Sequence, residues 1–105
     1  MPNAVRGVAE IKLSAAARRD LARISEFSAE RFGDNVADEY TRGFQEAFGL
    51  LRRHPLSGQD RPDFRKGSRC KVHGSHRILY RVNGNTVFVQ RILHHSQHVP
   101  AHLKQ

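Results

Sequence analysis

Apolar and polar residues alternate with a period of two on both sides of Asn83-Gly84, across SHRILYRVNGNTVFVQRILHH at positions 75–95. Asn-Gly suits a two-residue type I′ turn, because both central residues need positive φ. The alternation therefore predicts a hairpin with Val82 opposite Asn85, Tyr80 opposite Val87, Ile78 opposite Val89 and His76 opposite Arg91. Successive side chains of a strand point to opposite faces. One face then carries Ile78, Tyr80, Val82, Val87, Val89 and Leu93 and reads as core. The other mixes Leu79, Phe88 and Ile92 with Arg77, Arg81, Thr86, Gln90 and His94, so it is half apolar and half basic.

Upstream the period lengthens. Residues 9–13 predict a short strand ending at Ser14, a good helix N-cap. Residues 15–32 follow a helical stripe of Ala17, Leu21, Ile24 and Phe27 or Ser28, with arginines and glutamates on the opposite side. Gly33 stands where a helix commonly ends. Asp34 or Asn35 is the expected cap of a second helix over 36–54, striped by Ala37, Tyr40, Phe44, Phe48 and Leu51 and stopped by Pro55. Residues 55–67 are loop by composition. Residues 68–72 predict a strand, and 73–75 a turn into the hairpin. The order β-α-α-β-β-β predicts an α+β fold of one domain over 1–105, a helical hairpin covering one face of a small, largely antiparallel sheet. The Arg-and-apolar face is left for a partner, and residues 96–105 form a polar tail.

Charge sharpens that picture. The chain carries +8 overall, unevenly spread. Residues 1–54 hold nine Lys/Arg against eight Asp/Glu, and residues 55–105 hold nine against two, Asp60 and Asp63. A basic half implies an acidic partner. Cys70 is the only cysteine, which excludes an internal disulfide and a cysteine-based zinc site. The first residues contain no apolar leader run, and nothing approaches the ~20 apolar residues of a membrane span. A cytosolic location with no membrane partner is expected.

The blocks LSAAARRDLARISEF, ERFGDNVADEY, LLRRHPLSGQDRPDFRKGSR, HGSHRILYRV and VQRILHH together resemble the ParE toxins of the RelE/ParE superfamily, over about residues 9–103. The resemblance implies the toxin of a bacterial type II toxin–antitoxin module. Such a toxin is held inactive by a ParD-like antitoxin of the ribbon-helix-helix type and, when free, typically poisons DNA gyrase without catalysing a reaction. After RILH the family often has a basic or small residue followed by Met-Asp, where this chain has Ser96-Gln97-His98.

On this reading the antitoxin meets Arg65, Arg69, Arg77, Leu79, Arg81, Phe88 and Ile92, acidic groups pairing with the arginines and apolar ones with the rest. Sequence-specific nucleic-acid binding by the toxin alone is not expected, nor is a cofactor. The alternative is a ribosome-dependent mRNA endonuclease of the RelE type. His94 or His95 would move the proton and Arg77 and Arg81 would hold the phosphate, but the set of lysines or Glu-Arg-His that such enzymes use is missing. A third reading is a homologue that binds antitoxin and has lost its target. His94, His98 and His102 recur every four residues, yet Pro100 interrupts any helix that would align them, so no metal site is expected.

Overall fold

The computed structural model describes residues 8–97. In chain order it contains β1 (Glu10–Leu13), α1 (Ala15–Phe32), α2 (Asp34–Arg53), β2 (Gln59–Asp60), β3 (Arg69–His73), β4 (His76–Asn83) and β5 (Thr86–His94). The strands form one sheet in the order β1-β5-β4-β3-β2, antiparallel except for the parallel β1–β5 pair. Both helices pack on the sheet, giving the expected α+β architecture. The addition is β2, inside a stretch that composition marks as loop. Its two residues, Gln59 and Asp60, pair with Cys70 and Arg69, partners beyond a loop that a local pattern cannot reveal.

Each helix boundary has a local cause. Ser14 Oγ accepts from the Ala17 N–H at 2.9 Å, capping α1, and donates to the Gln90 carbonyl at 2.8 Å. Gly33, at φ +91°, closes α1 by donating its N–H to Ala29 O at 2.9 Å. It also stands immediately before α2, so the second helix starts at Asp34 and neither Asp34 nor Asn35 is its cap. A single residue turns the chain between two antiparallel helices, which the positive φ of glycine permits. Ala17, Phe44, Phe48 and Leu51 then meet Ile78, Tyr80, Val87 and Val89 in the main core. Of the two candidates at the end of the α1 stripe, Ser28 faces inward and Phe27 outward.

The hairpin register differs from the expected one in two steps. Asn83 pairs with Thr86, so the turn residues are Gly84 and Asn85, with Gly84 at φ +61°. This one-residue displacement of the turn moves the pairing by two, to Tyr80–Val89 and Val82–Val87, and leaves every side chain on its expected face. A bulge opposite Leu79 and Tyr80 then adds one residue to β5, and pairing resumes as Leu79–Arg91, Ile78–Ile92 and His76–His94. Past the bulge the faces exchange. Ile92 lies in the main core at 2 % exposure, and Leu93 lies on the opposite side. His76 faces His94, not Arg91.

The far side of the sheet is not bare. Phe64, from the loop between β2 and β3, closes over Leu79, Cys70 and Leu93 to make a second small core. Leu79 is 1 % exposed beneath it. Burying a phenylalanine contributes roughly 2–3 kcal/mol, enough to hold this loop down. Ser68 Oγ donates to Gln90 Oε1 at 2.9 Å, so the bulge residue ties the loop on one side to the cap of α1 on the other.

Candidate functional site

The basic face emerges smaller than the alternation predicts. Leu79 and Ile92 are withdrawn from it, the first beneath Phe64 and the second by the bulge, so neither offers a contact to a partner. Arg69 is engaged internally: Nη1 donates to the carbonyls of Gly58 at 2.8 Å and Leu56 at 3.1 Å, and Asp60 lies 3.4 Å from Nη2. Arg81 is exposed and stacks 5.7 Å over the ring of Phe88, its direct cross-strand partner. Arg65 stacks 5.2 Å over Phe64. Arg77 reaches past the strand end and donates Nη2 to the carbonyls of Gln97 at 3.0 Å and His95 at 3.4 Å, while its buried Nε has no hydrogen-bond partner among the described residues. Burial raises the pKa of the Cys70 thiol, and the nearby Arg61 and Arg77 only partly oppose that, so Cys70 is no activated nucleophile. What remains is a face of Arg65, Arg77, Arg81 and Phe88.

The His94 imidazole does not join it. His94 sits opposite His76, their rings edge to face at 5.3 Å, and His95 stacks on His94 at 4.4 Å. Because Arg77 pairs with Leu93, one position along, alternation puts His94 and Arg77 on opposite faces. His94 Nδ1 is 2.7 Å from Ser96 Oγ, and its backbone N–H donates to Gln97 Oε1 at 2.7 Å. Of the two recurring histidines beyond it, His98 and His102, both lie outside the described residues. Among the described residues no group of three or more His, Cys, Asp or Glu could hold a metal ion.

A hub that the alternation did not indicate lies at this end of the sheet. The Tyr40 hydroxyl is 2.7 Å from His76 Nδ1, accepts from the Ser75 N–H at 3.0 Å and reaches His73 O at 3.1 Å. The His73 imidazole lies flat on Tyr40 at 4.6 Å and edge-on to Phe44 at 4.5 Å, with Gly43 directly beneath it. Gly74, at φ +57°, lies so close that a Cβ there would fall 2.6 Å from the Tyr40 hydroxyl. Burial, reinforced by His94, His73 and His95, lowers the pKa of His76 to about 4. It is therefore neutral at pH 7.

Beside this hub runs an apolar groove of about 260 Å³ between the C-terminal half of α1, the start of α2 and the sheet end. It is lined by Phe27, Phe32, Val36, Tyr40, His76 and His94, and continues along α1 past Arg23 and Ile24. Phe27, Phe32 and Val36 are 56 %, 62 % and 47 % exposed. The available sequence signal was Phe27, offered as the alternative to Ser28 at the end of the α1 stripe, and two more apolar residues flanking the interhelical turn.

Comparison with known proteins agrees with this architecture. A family model described as the ParE toxin of type II toxin–antitoxin systems matches residues 11–99. The chain is 38 % identical over 92 residues to Toxin ParE1 of Caulobacter vibrioides, covering 88 % of this chain and 95 % of that protein. It is 35 % identical over 92 residues to Toxin ParE1 of Mycobacterium tuberculosis, covering 87 % and 94 %. A structure from the chromosomal ParDE system of P. aeruginosa superposes with a TM-score of 0.72 at 21 % identity, over 83 % of this chain and 96 % of that one, and shares the fold. A chain of the M. tuberculosis RelBE2 toxin–antitoxin complex superposes at 0.60 and 26 % identity, over 83 % and 98 %. With a family model spanning most of its length and curated relatives matched nearly end to end, this chain belongs to the ParE toxins of type II toxin–antitoxin systems.

Proposed function

We propose that this toxin is neutralised by a ParD-like ribbon-helix-helix antitoxin and that the free protein inhibits DNA gyrase without cleaving RNA. The carrying observation is the separation of His94 from Arg77 and Arg81 across the sheet. In-line RNA cleavage needs an acid or base and phosphate-binding cations converging on one scissile bond, and His94 and the two arginines point apart. The arginines are instead arranged with an aromatic, Arg81 over Phe88, in the half of the chain that carries nine basic residues against two acidic ones. Such a face suits carboxylates and apolar groups of an acidic protein segment. The fold neighbours include toxin–antitoxin complexes, in keeping with a protein partner.

Purified toxin added to gyrase and relaxed plasmid should block supercoiling, and primer extension on mRNA from induced cells should show no new ends. Codon-linked cuts with normal supercoiling would overturn the gyrase reading in favour of a RelE-type endonuclease. For the antitoxin, charge reversal at Arg77 and Arg81 together should weaken binding at least about tenfold by calorimetry; unchanged affinity would remove the basic face from the interface.

A further inference from the structure

Three adjacent strands bring Lys12, Phe88 and Arg81 into one row on the far side of the sheet. Lys12 pairs with Phe88 across β1 and β5, and Phe88 with Arg81 across β5 and β4. We propose that this row, with Arg65 beside it, binds the phosphate backbone of duplex DNA without reading its sequence. The inference goes beyond neutralisation and gyrase inhibition by giving the free toxin a nucleic-acid ligand. The choice of DNA over an RNA duplex rests on the gyrase reading; the phosphate contact does not.

The row follows from the pleat. Ile11 and Leu13 pack against the main core, as do Val87 and Val89, so Lys12 and Phe88 between them turn to the other side. Adjacent strands lie about 4.8 Å apart, which sets the Cα atoms of Lys12 and Arg81 about 10 Å apart with Phe88 between them. Lys12 and Arg81 are both exposed. Along β4 the next residue on this side is Leu79, covered by Phe64. The guanidinium of Arg65 stands 5.2 Å over the Phe64 ring, so a third cation flanks the row.

The nearby loop carboxylates are engaged elsewhere. Asp63 accepts from Arg61 Nε at 2.8 Å and Nη2 at 2.7 Å, and Asp60 lies 3.4 Å from Arg69 Nη2. Glu10 pairs with Thr86, one row nearer the hairpin turn, and opposes the cations only from that end.

Two features select a duplex. The first is charge density. Duplex DNA carries one charge about every 1.7 Å of its axis, so cations spread along a stiff sheet meet phosphates together without a pocket for any one of them. The second is the state of the aromatics. A single strand is held largely by bases stacked on open rings, and neither ring here is open. Phe64 is fully buried, and the Phe88 ring lies 5.7 Å beneath the Arg81 guanidinium. The rings instead hold two arginines in place, so less side-chain freedom is lost on binding. Contacts to phosphates fix position and carry no sequence information.

The test is the fluorescence anisotropy of a labelled random-sequence DNA duplex, titrated with the full-length toxin at several salt concentrations. Three phosphate contacts should make log K fall against log salt with a slope of about −2.7, and Lys12→Ala, Arg65→Ala and Arg81→Ala should each reduce that slope by about 1. The reductions should be equal on unrelated sequences, with the far-UV spectrum unchanged. Arg23→Ala and Arg42→Ala remove the same charge from exposed positions on the helices and should leave the slope as it was. Equal losses from these helix variants would mean diffuse attraction to a chain of charge +8 and would overturn the proposal. So would tighter binding to a single strand or an RNA duplex, competition by polyglutamate as strong as that by unlabelled DNA of equal charge, or no binding at low salt. DNA binding beside unimpeded supercoiling would remove the gyrase reading and leave the phosphate contact standing. Blocked supercoiling with no binding of free duplex would do the reverse.

Discussion

Asp20 caps the open edge of β5: its Oδ2 accepts the Ile92 N–H at 2.9 Å and Arg91 Nε at 2.8 Å, while Oδ1 takes Arg91 Nη2 at 3.0 Å. β1 covers β5 only from Thr86 to Val89, so beyond that point the strand edge would stand unpaired. The carboxylate is delivered by α1, on whose buried face it sits, and is the helix's polar tie to the sheet. It also holds the Arg91 guanidinium in its charged form, raising its pKa mainly through their hydrogen bonds.

Asp20→Ala should therefore destabilise the protein by about 3 kcal/mol, because it leaves a buried N–H and a partly buried guanidinium without an acceptor. Asp20→Asn should cost less, since an amide oxygen can still accept from Ile92 N. Urea unfolding followed by far-UV circular dichroism measures both, the chain having no tryptophan. Equal losses for Ala and Asn would show that charge alone, and not the edge cap, carries the effect.

Stability should rise with pH between about 4 and 6.5. The folded His76 has its pKa lowered to about 4, first by burial and then by His94, His73 and His95, with Asp20 opposing weakly. Over that window the unfolded chain binds a proton that the folded one does not, so folding is favoured above the window and loses this contribution as pH falls toward 4. Thermal midpoints recorded at several pH values should show the slope, and His76→Gln should flatten it. The same slope in both proteins would place the titration elsewhere.

Phe64→Ala should cost about 3–4 kcal/mol, in the range for emptying a buried aromatic site, and should uncover Leu79 and Leu93. Dye binding to exposed apolar surface should increase in the variant while its helix content is kept. A loss below 1 kcal/mol would mean that the loop, and not its aromatic, covers this side of the sheet.

The order of the elements, the two helical stripes and the capping role of Ser14 were legible in the chain, because each rests on residues close in sequence. So were the core identities of Ile78, Tyr80, Val87 and Val89, since displacing the turn by one residue moves pairing by two and preserves the faces. Ile92 and Leu93 exchanged sides because a bulge breaks the period of two, and its cause is tertiary. Gln90 is fixed from opposite directions by Ser14 and Ser68, residues distant in sequence.

The candidate surfaces divide in the same way. The excess of arginine in the second half, and the placing of Arg81 and Phe88 on the same face of the hairpin, could be read directly, but not their pairing, because the expected register set Arg81 opposite Thr86. Leu79 could not be withdrawn from that face in advance, because Phe64 reaches it through a loop whose path only β2 pairing defines. A groove beside the helical hairpin was to be expected, but not its lining, since Phe27, Val36 and His94 come from three elements and become neighbours only when α1, α2 and the sheet end converge. Local periodicity determined which residues are apolar and in which element they sit; long-range packing decided which of them remain exposed.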